Sequence, residues 1–319
     1  MENIRNIIFD TDLGGDCDDV MALDLLLSAE KCGECRLLGV TYSADAYAAI
    51  PCIYAILRHY GRGDVPIGRA PVKEGTVSVS DNYASKVAEA FRYDGAPDYN
   101  TTPEASALLR RLLSEATGKV TLVVTGFLTN ITALLKSGPD EYSPLSGPEL
   151  VREKVEEIAI MACNFSHINC IAPEERAVCG DGTIKPLGEW NIICDIKAAQ
   201  EMFALVTAPV VLLPYEAGLN MITGASMAEH GGMDAPDSMS YIVHGSRAGR
   251  HSWDPATALY GIYGARPWFY KSSAGRVTIR DNGVSDFAVD PDGLCSILEC
   301  AQPKEQIATA IDELVGRLF

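Results

Sequence analysis

Residues 10–19 read Asp-Thr-Asp-Leu-Gly-Gly-Asp-Cys-Asp-Asp, which puts five carboxylates in ten positions directly behind the apolar run Ile7-Ile8-Phe9. A short apolar run closed by glycines reads as a buried strand. Val20, Met21, Leu23, Leu25, Leu26 and Leu27 then supply the apolar surface of a helix packed on a core. The aspartates therefore stand where a strand ends and a helix begins, which is where open α/β sheets bind ligands. Carboxylates this close repel one another and stay ionised together only with positive charge among them. The helix N-terminus supplies enough for one or two. A divalent cation would neutralise the rest, and an all-oxygen ligand set favours Ca²⁺ or Mg²⁺. The plain alternative is a solvated acidic turn with Asp18 as helix N-cap. The full D-x-D-x-G-x-D-x-D-D run behind a buried strand favours the metal or catalytic site.

Strand and helix patterns alternate along the first two-thirds of the chain. Residues 36–41 read as a second strand and 47–60 as a helix, with a short strand at 64–67 after the turn Gly61-Arg62-Gly63. Residues 70–102 are polar and irregular, an insertion or a lid. A helix is expected over 103–116, capped by Thr102 with Pro103 at its first position. The β-branched strand 119–124 runs through Thr125-Gly126-Phe127-Leu128-Thr129-Asn130 into a helix at 131–136. Strand 157–161 precedes the long stretch 162–188, and loops of that length are usually functional or mobile. Helix 197–203, strand 209–213 and helix 254–264 follow. A hairpin is expected around Asp281-Asn282-Gly283, then a closing helix at 303–314. This alternation implies an α/β fold: an open, mainly parallel twisted sheet flanked by helices, with a Rossmann-like core. No linker or repeat divides the chain, so residues 1–319 read as one domain.

The net charge of −17 excludes nucleic acid and anionic membrane as partners, since both need a positive surface. An uncharged nucleoside or sugar is not repelled. No apolar run is long enough to span a bilayer. Met1-Glu2-Asn3 leads into the first strand with no basic-then-apolar leader, so the expected location is cytoplasmic. The ten cysteines then read as reduced thiols. Cys32-Gly33-Glu34-Cys35 lacks the second pair a zinc site needs, and Cys163, Cys170 and Cys179 around His167 read as scattered thiols.

Three further places carry chemistry. Thr125-Gly126 ends a central strand, where exposed backbone carbonyls suit a hard cation. In Gly188-Glu189-Trp190-Asn191 an acid and an amide lie two residues apart; in an extended segment they share a side and together suit sugar hydroxyls. Asp254 stands at a helix start in Trp253-Asp254-Pro255, as a cap or a ligand.

Taken together these blocks resemble the nucleoside hydrolases, the inosine-uridine-preferring ribohydrolases. The family's acidic run matches Asp10-x-Asp12-x-Gly14 and then Asp18-Asp19, with the longer spacing of a divergent branch. The Thr-Gly-x-Leu-Thr-Asn block stands intact at 125–130, Glu-x-Asn at Glu189 and Asn191, and the Asp-Pro block at Asp254-Pro255. The resemblance implies hydrolysis of a ribonucleoside N-glycosidic bond to ribose and free base. It implies Ca²⁺ held by Asp12, Asp19, the Thr125 carbonyl and Asp254, with the ribose 2′- and 3′-hydroxyls and a water completing the shell. Asp12 would be the general base. Asp18, Asn191 and Glu189 would bind the sugar, and Asp10 would support the ligands from behind. A homodimer or homotetramer is also implied. The chemistry is coherent in itself: carboxylates stabilise the cationic sugar, a cation acidifies its water, and inverting attack needs only one base plus help for the departing base.

The sequence departs from the family around the nucleobase. Trp253 stands where many members carry His, leaving His251 and His244 as nearby candidates. Asp45, in Ser43-Ala44-Asp45-Ala46, replaces an Asn near the ribose. Thr183 replaces another Asn, for which Asn164 is the candidate substitute. Base recognition is thus expected to be altered while the metal and water machinery is kept. Two rivals follow. One is a binder that keeps the Ca²⁺ and sugar site without hydrolysis. The other is a haloacid-dehalogenase-like phosphatase with Asp10 as nucleophile, which lacks here the late acidic pair that chemistry needs. An EF-hand is excluded because Met21 stands where its loop needs Glu. Asp16 has no assigned role.

Overall fold

Successive residues of a strand point to opposite faces, so a strand buried on both sides must be apolar at every position. The first strand, β1 (Arg5–Thr11), shows this directly. Ile7 and Phe9 join the core on one face of the sheet, and Ile8 joins the core on the other. This structure, a computed structural model, describes residues 4–71, 79–167 and 187–319. Its other strands are β2 (Cys35–Tyr42), β3 (Ile67–Arg69), β4 (Val120–Val124), β5 (Val155–Met161), β6 (Val210–Leu213), β7 (Ile222–Thr223), β8 (Arg250–His251), β9 (Phe269–Lys271), β10 (Gly275–Ile279), β11 (Ser285–Val289) and β12 (Cys295–Cys300). Ten of them form one sheet in the order β11-β10-β12-β6-β5-β4-β1-β2-β3, with β9 on β12; β7 and β8 pair separately.

The seven strands from β12 to β3 run parallel, as the alternating pattern implied. The chain leaves β1 toward β2 and β3, then returns to β4 on the other flank of β1. The order therefore reverses between β1 and β4, and a crevice opens beyond their carboxyl ends. One face is covered by helices Asp18–Lys31, Ala49–His59, Trp253–Tyr263 and Lys304–Val315, and the other by Ala105–Glu115, Thr129–Leu135, Gly147–Lys154 and Ile196–Leu205. Each fully buried Leu or Ile contributes roughly 1.5–3 kcal/mol, so the two layers hold the strand ends in place.

Several expected boundaries shift. The strand expected at 64–67 forms at Ile67–Arg69. The helix expected from Pro103 begins at Ala105, because Thr102 Oγ1 donates to the Asp98 carbonyl at 2.8 Å instead of capping it. Residues 70–102 include a helix, Ala84–Ala90. The hairpin expected around Asp281-Asn282-Gly283 joins antiparallel β10 and β11, with Gly283 at φ 81°. Cys170, Cys179, Thr183 and most of 162–188 lie outside the described residues. The described cysteines are free, Cys32 and Cys35 included. Among the described residues no helix is long and apolar enough to cross a membrane.

Candidate active site

The crevice between β1 and β4 has a volume of about 490 Å³. Its floor depends on two glycines. Gly14 adopts φ 128°, a left-handed conformation that turns the chain out of β1. Gly126 passes so close to β1 that a Cβ would lie 2.7 Å from the Asp12 nitrogen and 2.1 Å from Ser43 Oγ. Without that approach the β4 end could not sit against the aspartates.

Asp12, Asp18, Asp19, Thr125, Glu189, Asn191 and Asp254 all line this cleft. Carboxylate oxygens of Asp18, Asp19 and Asp254 lie within 4.8 Å of one another, and all three residues are buried. Asp19 accepts from the hydroxyls of Thr11 and Thr125, the latter at 3.1 Å. Asp18 does not cap its own helix, whose N-cap is Cys17. Its Oδ2 instead accepts from the backbone N–H of Trp253 (3.1 Å) and Asp254 (3.2 Å), capping the helix that carries Asp254. Burial holds the Asp12, Asp18, Asp19 and Asp254 carboxyls well above the usual carboxylate range; repulsion adds to this, chiefly from Asp18 on Asp12 and Asp254, Asp16 on Asp18, and Asp12 on Asp19. Four acids so placed are costly to ionise without a counter-charge. Among the described residues the only guanidinium or ammonium lining the cleft is Arg250, and Asp16 occupies it. Hard oxygen donors around an uncompensated buried charge fit a divalent cation.

Behind this cluster the amide of Asn191 donates to the Thr125 carbonyl at 2.7 Å and to the Met161 carbonyl at 3.0 Å. It thereby ties the β4 and β5 ends together. Glu189 and Asn191 are not in an extended segment: Glu189 is the N-cap of helix Trp190–Cys194 and accepts from the N–H of Asn191 (2.9 Å) and Ile192 (3.3 Å). Burial lifts its carboxyl to about 7 against those bonds. Asp10 is buried behind the cleft, with Oδ2 held by Thr41 and by Asn130 at 2.7 Å. Burial lifts its carboxyl to about 7. A nucleophile must reach its substrate, and Asp10 does not line the cleft.

Three expected sugar- or base-contacting residues lie outside the cleft lining. Asp45 is half-buried beyond β2. Asn164 turns its Oδ1 back to accept from the Ser166 N–H at 3.0 Å. His251 Nδ1 accepts from the Asn220 N–H at 2.9 Å. Trp253 does line the cleft, stacked on Tyr215 at 5.4 Å with its Nε1 donating to the Tyr215 carbonyl at 2.8 Å.

The cleft also holds residues that sequence reasoning left unassigned. Asp16 makes a bidentate pair with Arg250, whose Nε lies 2.8 and 3.0 Å from its two oxygens. Arg250 Cζ sits over the Trp253 ring at 5.5 Å. His244, already a base-side candidate from the sequence, joins the same wall, its Nε2 3.8 Å from Asp16. No spacing rule links Asp16 to a residue 234 positions away on a two-residue strand. The one signal was the family departure at Trp253, which marked this end of the cleft as altered.

Comparison with known proteins agrees with this geometry. The family model for inosine-uridine preferring nucleoside hydrolases matches residues 7–308. The chain is 29% identical over 209 residues to the pyrimidine-specific ribonucleoside hydrolase RihA of Shewanella woodyi, covering 62% of this chain and 56% of that protein. It thus spans little more than half the length of the RihA relatives it matches. Nucleoside hydrolase 3 of Arabidopsis thaliana is 24% identical over 278 residues, covering 68% of this chain and 29% of that protein. Two solved structures share the fold at 18% identity: the plant nucleoside hydrolase PpNRh1 (TM-score 0.67, covering 98% of this chain and 99% of that one) and the inosine-uridine preferring nucleoside hydrolase of Bacillus anthracis (TM-score 0.65, 99% of each). So does the type III effector XopQ, solved with adenosine diphosphate ribose (TM-score 0.64, 18% identity, covering 100% and 94%). The acidic switch-point cleft and the family match around it together show that this chain belongs to the inosine-uridine preferring nucleoside hydrolase family.

Proposed function

We propose that the chain hydrolyses the N-glycosidic bond of a ribonucleoside, releasing ribose and free base. The observation that carries this reading is the convergence of Asp12, Asp18, Asp19, Asp254 and Thr125 on one cleft, with Glu189 and Asn191 on its wall. Asp12, Asp19, Asp254 and the Thr125 carbonyl would hold a divalent cation, with Asp18 adjacent. Ca²⁺ suits them best, since it tolerates many irregularly placed oxygen ligands. When bound, such a cation offsets the buried negative charge and acidifies a water beside the sugar. Asp12 takes the proton of the attacking water as general base. The Asn191 nitrogen is spent on two carbonyls, so its Oδ1 remains for a ribose hydroxyl; Asp18 keeps its Oδ1 for another, and Glu189, whose carboxylate already accepts from the N–H groups of Cys163, Asn191 and Ile192, stands on the same wall for the sugar. The surrounding carboxylates stabilise the positive charge that grows on the sugar as the bond breaks. The assembly expected with this activity is a homodimer or homotetramer.

The test is reducing-sugar release from a nucleoside panel headed by uridine and cytidine, the substrate class named for the RihA relatives, with inosine and adenosine alongside. Sugar should appear from at least one member, vanish with chelator and return with Ca²⁺. Asp12→Asn should lower the rate about 10²–10⁴-fold, the range for losing a general base. Retention of intact nucleoside with no sugar released would favour the binder reading instead.

A further inference from the structure

Heterolysis of an N-ribosyl bond poses two charge problems. Positive charge grows on the sugar, where the carboxylates meet it. Negative charge grows on the departing base, where a cleft lined by Asp12, Asp16, Asp18, Asp19, Asp254 and Glu189 is hostile. Something must offset that charge, and the position beside Asp254 holds Trp253, whose indole nitrogen already donates to Tyr215.

We propose that Arg250 stabilises the departing nucleobase and that Asp16 positions it to do so; this rests on the hydrolase reading above. Arg250 is the one guanidinium in the cleft lining among the described residues. Its Nε and Nη2 are spent on Asp16, and its plane is steadied over the Trp253 ring at 5.5 Å. Trp253 is itself pinned by stacking on Tyr215. Nη1 has no partner among the described residues, and the side chain is one-third exposed, so a donor remains open to the cleft. A guanidinium keeps its charge at any working pH and its fork is rigid once two of its nitrogens are held.

The histidines are poorer candidates. His251 does not line the cleft, and its Nδ1 is occupied by the Asn220 N–H. His244 shares its Nδ1 with Ser246 Oγ at 2.8 Å, its Nε2 faces Asp16 at 3.8 Å, and burial lowers its pKa. In this proposal the base leaves as an anion. The C1′–N bond breaks with its electron pair passing to the base nitrogen. The water oxygen bonds to C1′, and the water proton passes to Asp12. The anionic base, held by Arg250, takes a proton from solvent on release, and Asp12 returns the water proton to solvent. The sum is nucleoside plus water giving ribose plus base.

This assigns Arg250 to one half of the reaction, which a choice of leaving group isolates. A nucleoside needs help to expel its base; 4-nitrophenyl β-D-ribofuranoside expels a stable anion without it. Arg250→Gln should lower kcat on a cleaved nucleoside about 10²–10³-fold, the usual loss for one preorganised donor, and on the nitrophenyl riboside by no more than a few-fold. Asp16→Asn should show the same bias more weakly, and Arg250→Lys should recover part of the loss. Since Arg250→Gln leaves the Asp16 charge bare, the double variant Asp16→Asn/Arg250→Gln, checked by thermal melting, repeats the test without it. Equal losses on both substrates would make Arg250 merely structural and overturn the proposal. An unchanged nucleoside rate would overturn it too. A wild-type protein that cleaves neither substrate would instead sink the hydrolase reading, and this one with it.

Discussion

Asn191 donates from one nitrogen to two carbonyls, and both lie at strand ends that border the acidic cluster. Truncating it would strand those carbonyls in a buried setting. Asn191→Ala should therefore cost about 1–3 kcal/mol in urea unfolding, the penalty for a buried polar group left without its partner. It should also weaken Ca²⁺ binding, because the Thr125 carbonyl loses the bond that aims it; calorimetric titration with equal affinities for variant and wild type would remove Thr125 from the ligand set. The residue types of this site were legible in the chain, Asn191 included. Its two bonds were not, because Thr125 and Met161 lie 66 and 30 positions away in sequence and come together only through the pairing of β4 with β5.

Three helices meet around a second acidic group that the cleft does not use. Asp24 of helix Asp18–Lys31 is fully buried, and among the described residues no N–H group donates to either of its oxygens. It faces Asp237 of helix Pro236–His244, whose Oδ2 accepts from the hydroxyl of Tyr60, at the end of helix Ala49–His59. Burial, followed by the charge of Asp237, raises the Asp24 pKa well above its ordinary value. The folded protein therefore holds this proton in a pH range where the unfolded chain has lost it. Its contribution is full below about pH 4, the unfolded value, and is lost as the pH climbs toward the folded pKa. Asp24→Asn, which is neutral and supplies a donor, should be more stable than wild type at pH 8 by roughly 1–3 kcal/mol and should flatten the decline with pH. Parallel urea-stability profiles for the two proteins from pH 5 to 8 would show that the slope arises elsewhere. None of this was visible in sequence, where Asp24 reads as one polar position in an apolar helix.

Across the whole molecule, the acidic cluster is a load on the fold that only a bound cation or protonation relieves. A ligand that binds the folded state alone adds RT ln(1 + [L]/Kd), about 2.7 kcal/mol at a hundred times Kd. Chelator-treated protein should consequently melt at a lower temperature than protein returned to millimolar Ca²⁺, and the gap should survive in Asp12→Asn less well than in a surface control. Identical melting curves with and without Ca²⁺ would show that the carboxylates hold no such ion. The gain depends on the tertiary fold being intact, since the ligands come from residues 12, 19, 125 and 254, and an unfolded chain cannot gather them.

Local chemistry could be read directly from the chain. An apolar run, five aspartates and a helix pattern declared a strand-to-helix junction, and alternation along the chain declared a mainly parallel sheet. These are short-range statements, carried by periodicity and by charge repulsion within ten residues. Which carboxylate serves which neighbour was decided elsewhere. The reversal of strand order between β1 and β4 brought Thr125 to the aspartates. Asp18, which the sequence offered as a cap for its own helix, caps the helix of Asp254. Asp16 found Arg250 across 234 positions. Such pairings are set by the packing of helices on a sheet, where burial makes an unpaired charge costly, and no local rule of sequence spacing encodes them.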